Sequence, residues 1–118
     1  MPGALGTLQR PLRPYAEGLL EVARMAGLRA TVTSVHRSRA KQRRLYRDWQ
    51  AGKSPFPAAP PGCSAHEFGL AFDVVIRKGR DLDLDALREL GHLWESWGGV
   101  WGGRFKDPIH FSAGEPRC

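Results

Sequence analysis

The spacing of apolar residues predicts three helices. The first runs from Pro14 to Gly27, and the second ends near Gln50 with a strongly basic outer face. The third begins near Asp83, with Asp83 or Asp85 as its cap, and ends at Gly98 and Gly99. The residues expected to face inward are Ala16, Leu19, Leu20, Ala23 and Ala26, then Gln42, Leu45, Tyr46 and Trp49, then Leu87, Leu90, Trp94 and Trp97.

Three other segments are typical of strands. Residues 29–35 are rich in β-branched side chains, residues 70–76 form an apolar run, and residues 100–112 alternate large residues with polar ones. Residues 1–13 lack a periodic pattern and are predicted to be an extended lead-in, whereas the proline-rich residues 51–61 form a loop. The order α-β-α-loop-β-α-β-β predicts an α+β fold with three helices packed on a small antiparallel sheet.

Composition adds that this is one globular domain. The chain has 118 residues, of which 42% are hydrophobic and 25% charged, so we expect residues 1–118 to form a single domain. No apolar run is long enough to cross a membrane. The N-terminus lacks a basic start followed by an apolar core, so no secretory signal peptide is predicted.

The net charge of +6 is concentrated in the first half of the chain. Residues 1–60 carry eleven Lys and Arg against three Asp and Glu, whereas residues 61–118 carry seven against nine. Such a basic half attracts polyanions non-specifically. Because no helix-turn-helix, zinc-finger or aromatic RNA-binding pattern accompanies the charge, no specific nucleic-acid partner is expected.

The chain has two cysteines, Cys63 and Cys118, and no C-x-x-C motif. Sequence alone does not show whether they pair in an oxidising compartment. The prediction is two unpaired thiols without a role.

The chemistry-bearing residues fall in two short stretches. His66 and Asp73 lie seven positions apart with Gly69 between them, and Asp107 lies three positions before His110. Two imidazoles and one carboxylate, with a second carboxylate left over as a base, match the inventory of a catalytic zinc site.

Two residues close to these candidates in sequence are rejected as members of the site. Glu67 is a rival base, but side-chain alternation is expected to point it away from His66. Cys63 as a fourth protein ligand would close the position that a catalytic zinc keeps open.

The motif Ser-x-His-x-x-Gly-x-Ala-x-Asp, at Ser64, His66, Gly69, Ala71 and Asp73, resembles the first metal motif of a known peptidase family. This is the family of zinc D-alanyl-D-alanine carboxypeptidases and L-alanyl-D-glutamate endopeptidases, which includes phage endolysins and shares its fold with the hedgehog signalling domain. The resemblance extends over about residues 34–111. Its further matches are Asp107 with His110, then Arg37, Ser38, Gln42, Leu45 and Tyr46, then Trp97, Gly98, Gly99 and Trp101.

The resemblance implies roles for individual residues. His66, Asp73 and His110 would hold one Zn²⁺ per chain, and Asp107 would be the catalytic base. Arg37 would hold the scissile carbonyl or a substrate carboxylate. The remaining substrate-binding candidates are Ser64, Gln42 and Trp101.

The sequence departs from the family pattern at three places. Pro108 stands one position earlier than usual between the acidic residue and the histidine. An aspartate in the position of the base belongs with the endopeptidase branch of the family. His36 replaces an aromatic residue, and we interpret it as a packing substitution.

The predicted function is a zinc-dependent peptidoglycan peptidase that hydrolyses a stem-peptide amide bond, most simply an endolysin-like L-alanyl-D-glutamate endopeptidase. The alternatives are a D-alanyl-D-alanine carboxypeptidase and a zinc-stabilised binding module without catalysis. We expect a monomer without a separate wall-binding domain, with some attraction to anionic wall polymers. Without a signal peptide, it would accumulate in the cytoplasm and reach the wall by holin release or phage delivery, host export being the alternative.

Overall fold

The computed structural model describes residues 3–118, with side chains from residue 5 onward. Its helices are α1 (Arg13–Met25), α2 (Arg39–Gln50) and α3 (Leu84–Ser96). Its strands are β1 (Ala30–Ser34), β2 (Ala71–Lys78), β3 (Asp81–Leu82), β4 (Val100–Trp101) and β5 (His110–Ser112). The predicted α+β fold with an antiparallel sheet is confirmed.

The sheet is antiparallel, with strand order β1-β2-β5-β4, and β3 pairs with the far end of β2. In the central pair, Phe72 lies opposite Phe111 and Asp73 lies opposite His110. Side chains alternate between the two faces of a strand. The two phenylalanines therefore enter the core and stack, with ring centroids 5.7 Å apart, while Asp73 and His110 share the other face.

One apolar core joins α1, α3 and the inner face of the sheet. The prediction for α2 holds less well, because Gln42 is its only buried residue and Trp49 is exposed. Trp97, predicted to face inward at the end of α3, is also exposed. Between Gln50 and Ala65 the chain forms no helix or strand, as the prolines predict.

The prediction of an extended lead-in is wrong for the described residues. Two short 3-10 helices, Gly3–Thr7 and Arg10–Leu12, occupy this segment. Leu5 and Leu12 from these helices and Leu8 from the bend between them are buried in the core. A 3-10 helix repeats every three residues and lasts only a turn or two, so it leaves no α-helical or strand period in the sequence. Met1 and Pro2 lie outside the described residues.

The prediction of two unpaired thiols is also wrong. Cys63 and Cys118 form a disulfide across 55 positions of sequence, with their Cα atoms 5.9 Å apart. After β5 the chain turns back toward the loop that precedes β2, a path that the spacing of the cysteines does not reveal. None of the helices among residues 3–118 combines the length and apolar character needed to cross a bilayer.

Candidate metal centre and active site

His66 is held by a tightly capped turn. Ser64 caps the 3-10 helix Ala65–Phe68 by accepting a hydrogen bond from the His66 N–H, and Glu67 accepts one from the Ser64 N–H. Gly69 then adopts a left-handed conformation with φ 67°, which a residue without Cβ tolerates, and the chain enters β2. The motif recognised in the sequence is therefore a capped turn that returns His66 to the side of Asp73.

The structure brings the three predicted metal ligands together. One donor atom from each of His66, Asp73 and His110 lies within 4.8 Å of the others, and all three residues are buried. Nε2 of His66 is 3.1 Å and Nδ1 of His110 is 3.4 Å from Oδ1 of Asp73. Two nitrogens thus converge on one carboxylate, which is a donor set that suits zinc.

The hydrogen-bond partners of His66 show that a cation fits this site. Nδ1 of His66 is 2.6 Å from the carbonyl oxygen of Val35, which can only accept, so Nδ1 carries the hydrogen. In the neutral ring, Nε2 is then an unprotonated acceptor that faces an acceptor oxygen of Asp73. This contact becomes favourable only with a proton or a metal ion between the two atoms.

The charges of the ligands support the same conclusion. Burial alone would raise the pKa of Asp73, but its interactions with His110 and His66 outweigh burial and hold the pKa at about 2. Burial opposes protonation of His110, yet hydrogen bonds to Asp73 and Glu115 raise its pKa to about 9. Without metal, the folded protein therefore keeps a proton on His110 where zinc would sit.

Glu115 is a member of the site that the sequence analysis missed. Its Oε2 is 2.9 Å from Nε2 of His110, and it also accepts a hydrogen bond from the hydroxyl of buried Ser112. Burial raises the pKa of the Glu115 carboxyl, but the bonds from His110 and Ser112 outweigh it and lower the pKa overall. The tail after β5 has no pattern that predicts structure, and the only signal that could have found Glu115 is its proximity to His110 in sequence.

Arg37 lies at the edge of the ligand cluster. Its Nη2 is 3.5 Å from Oδ2 of Asp73, and its Nη1 donates to Oε1 of Gln42. The Gln42 amide in turn donates to the carbonyl of Ala59 in the proline-rich loop. The guanidinium is thereby held beside the metal ligands with N–H groups left for a substrate oxygen.

Asp107 lies in the turn between β4 and β5, and its carboxylate makes no hydrogen bond or ion pair within residues 3–118. Burial and the charge of Asp73 raise the pKa of Asp107, against the opposing charges of His110, His66 and Arg37. The carboxylate is therefore close enough to the ligands to sense their charges while remaining available to accept a proton.

Three of the predicted substrate-binding residues are largely buried in the protein. Gln42 is 1% exposed, Ser64 is 8% exposed and Trp101 is 7% exposed. Each uses its polar atoms within the protein, the Trp101 indole by donating to the carbonyl of Pro108. Their placement favours a role in positioning Arg37, His66 and the Asp107 turn over direct contact with substrate. A sequence motif does not distinguish between these two roles.

The rejected candidates are placed as expected. The Glu67 side chain is 2% exposed and is bonded to Gly62, Ser64 and Arg39, and Cys63 is in the disulfide. Neither belongs to the ligand group. His36 and His92 are exposed.

Comparison with protein families identifies the chain. The model of the VanY family, described as D-alanyl-D-alanine carboxypeptidase, matches residues 7–96, which is most of the sequence. The chain belongs to the VanY family. A search of curated proteins gave no match.

Solved structures share the VanY fold. The D,D-pentapeptidase VanY of a VanB-type vancomycin-resistance cassette, determined as a mutant with Zn(II), has a TM-score of 0.68 and 21% identity, over 91% of this chain and 73% of that one. VanYB in complex with D-alanine-D-alanine has a TM-score of 0.69 and 20% identity, over 89% and 70%. The L-Ala D-Glu endopeptidase ChiX of Serratia marcescens has a TM-score of 0.58 and 24% identity, over 92% and 82%.

These findings confirm the predicted family and the class of zinc metallopeptidase acting on cell-wall peptides. The buried His66, Asp73 and His110 could hold a metal ion, as predicted, and the VanY structure at 21% identity contains Zn(II). The narrower prediction of an L-alanyl-D-glutamate endopeptidase is not confirmed, because the family that matches is described by the alternative, carboxypeptidase activity.

The proton on His110 predicts a pH dependence of the metal-free protein. The pKa of His110 is about 9 when folded and near 6.5 when unfolded, so the folded state binds more protons between these values. The resulting stability is complete below pH 6.5 and is lost as the pH rises through 9. Urea unfolding in the presence of a chelator should show the free energy of unfolding falling over this range. His110→Gln should flatten the slope, and a slope that rises with pH would contradict the assignment.

The close packing around Gly102 predicts that a larger residue at this position displaces the turn that carries Asp107. A Cβ on Gly102 would lie 2.2 Å from the carbonyl oxygen of Asp107 and 2.7 Å from Cβ of His110, so Gly102→Ala must displace both. Because a displacement of about 1 Å can cost roughly 10²-fold in rate, peptidase activity should fall on that order. Gly114→Ala, where a Cβ meets open space, is the matched control and should keep normal activity. Equal activity of the two variants would show that the turn does not position Asp107.

Proposed function

We propose that this protein is a D-alanyl-D-alanine carboxypeptidase that removes the terminal D-alanine from peptidoglycan stem peptides. The observation that carries the proposal is one available carboxylate, Asp107, and one fixed guanidinium, Arg37, beside a buried metal-ligand group on a chain of the VanY family. Metal-assisted hydrolysis of a peptide bond uses these parts: a base for water, a cation for the developing oxyanion and a metal.

When bound by His66, Asp73 and His110, zinc would supply a Lewis acid and lower the pKa of water toward 7. Asp107 would accept the proton of the attacking water at its free carboxylate. The same carboxyl would then return the proton to the amine that leaves as the C–N bond breaks. Its raised pKa favours the first of these transfers, since a carboxylate with a higher pKa is a stronger base.

Arg37 would supply the positive charge for the substrate. Its Nη1 is committed to Gln42, while the remaining N–H groups can bind the carbonyl oxygen of the scissile bond or the terminal carboxylate of a D-alanine. Gln42 is bonded on both sides, so the guanidinium need not be ordered at the moment of reaction. Preorganised donors of this kind account for much of the catalysis of amide hydrolysis.

The L-alanyl-D-glutamate endopeptidase remains the second candidate for one specific reason. A solved L-Ala D-Glu endopeptidase, ChiX, shares the fold of this chain, with a TM-score of 0.58 and 24% identity. The residues and proton transfers would be the same, and only the position of the scissile bond within the stem peptide would differ.

A zinc-stabilised binding module without catalysis is not favoured. Such a module has no need for a free carboxylate or for a fixed guanidinium at the metal ligands, and both are here. The endolysin-like role, the route of release and the monomeric state stay predictions. Attraction to anionic wall polymers is supported by the exposed basic residues of α2, which are Arg39, Lys41, Arg43, Arg44 and Arg47.

The test is digestion of a synthetic pentapeptide stem that ends in D-alanyl-D-alanine by the zinc-loaded protein. We expect mass spectrometry to show loss of the C-terminal D-alanine. Release of the N-terminal L-alanine would instead establish the endopeptidase. Cleavage at neither bond, by a protein shown to contain zinc, would overturn the proposed function.

Asp107→Asn should reduce the same cleavage by roughly 10²- to 10⁴-fold, because the amide cannot accept the proton. Asp81→Asn, at an exposed aspartate of β3, is the matched control and should cleave at the normal rate. If Asp107→Asn cleaved as fast as the control, Asp107 would not be the base.

A further inference from the structure

The two nitrogens of His110 face two different carboxylates. Nδ1 is 3.4 Å from Asp73, within the ligand group, and Nε2 is 2.9 Å from Oε2 of Glu115 on the opposite side of the ring. If Nδ1 binds the metal, Nε2 carries the hydrogen and donates it to Glu115. A carboxylate in this position fixes the tautomer and the orientation of a ligating imidazole and makes its free nitrogen a better donor.

The side chain of Glu115 is held by a hydrogen bond, whereas its backbone is held only weakly. It accepts a hydrogen bond from the Ser112 hydroxyl, and Ser112 is fully buried in β5. The nearest backbone hydrogen bond lies two residues earlier, where the Ala113 N–H donates to the carbonyl of Leu70, directly before β2. Beyond Ala113 the chain forms no helix or strand, so little else in the backbone holds Glu115 in place.

The disulfide attaches the end of this weakly held tail to the rest of the protein. Cys118, three residues after Glu115, is bonded to Cys63, which directly precedes the Ser64 cap of the turn that carries His66. The tail is therefore fastened at one end by β5, which carries His110, and at the other end by the turn that carries His66. Chain ends are poorly ordered unless tied down in this way.

We propose that Glu115 is a positioning residue for the metal ligand His110, and that the Cys63–Cys118 disulfide holds it there by fastening the tail across the site. The disulfide contributes to metal affinity indirectly, by limiting where the Glu115 carboxylate can go. The inference rests on the metal site of the proposed function but not on which peptide bond is cleaved.

The test is the zinc dissociation constant, measured by competition with a chromophoric chelator. Glu115→Gln keeps a hydrogen-bond acceptor but loses the charge, and Glu115→Ala loses both. Because removing such a partner typically costs roughly 10- to 100-fold in metal affinity, we expect weakening on that order, larger for Ala than for Gln. Glu89→Gln, at an exposed glutamate of α3, is the matched control and should bind zinc normally.

A second readout separates positioning from general stability. The visible spectrum of the Co²⁺-substituted protein reports the geometry around the metal, and it should change in Glu115→Gln but not in the control. Affinities of both Glu115 variants within about twofold of the original protein, with an unchanged spectrum, would overturn the role of Glu115.

A double-mutant cycle tests the tether. The protein carrying Cys63→Ser and Cys118→Ser should bind zinc more weakly than the original. Adding Glu115→Gln to it should cost much less than in the disulfide-bonded protein, because the loosened carboxylate has already lost its position. If the losses in zinc affinity from the two changes were fully additive, the disulfide would not be what holds Glu115 in place. If the serine variant does not fold, the Glu115 variants still decide the positioning role, because they retain the disulfide.

The two proposals fail in different ways. A protein that binds zinc and responds to Glu115→Gln as expected, but cleaves neither peptide bond, would refute the proposed function alone. A protein that cleaves the stem peptide while its Glu115 variants keep normal zinc affinity and spectrum would refute this inference alone.

Discussion

The pairing of β2 with β5 is the constraint on which the whole site depends. Asp73 and His110 lie directly opposite each other in this antiparallel pair, and Phe72 and Phe111 lie opposite each other one position earlier and later. Because side chains alternate, burial of the two phenylalanines in the core fixes the faces on which the carboxylate and the imidazole stand. A slip of one residue would place phenylalanine in the metal site and charge in the core, so packing energy enforces the register that chemistry needs.

Short hydrogen-bonded motifs bring the remaining parts of the site to this pair of strands. A capping box turns His66 toward Asp73, and the carbonyl of Val35 fixes its tautomer. The buried amide of Gln42 connects Arg37 to the proline-rich loop. Buried polar groups of this kind are costly when unpaired, and among the described side chains no buried nitrogen or oxygen lacks a partner. The site therefore combines rigidity around the metal ligands with one unpaired carboxylate, Asp107.

The sequence predicted those features that depend on local pattern or on a motif. The three helices, the central strand and the convergence of His66, Asp73 and His110 follow from periodicity and from the family resemblance. The features it missed depend on where distant segments meet. Leu5 and Leu12 belong to 3-10 helices without a strong period, and the tail with Glu115 and Cys118 is ordered by contacts with His110, Ser112 and Cys63. Whether a side chain of the motif such as Gln42 points toward a neighbour or toward substrate likewise depends on packing.

The most direct test of this account is a crystal structure of the zinc-loaded protein with anomalous diffraction measured at the zinc edge. We expect one anomalous peak bonded to Nε2 of His66, Nδ1 of His110 and a carboxylate oxygen of Asp73, with Asp107 and Arg37 facing it and no fourth protein ligand. A zinc ion bound through other residues, or a site closed by a fourth side chain, would contradict the central claim.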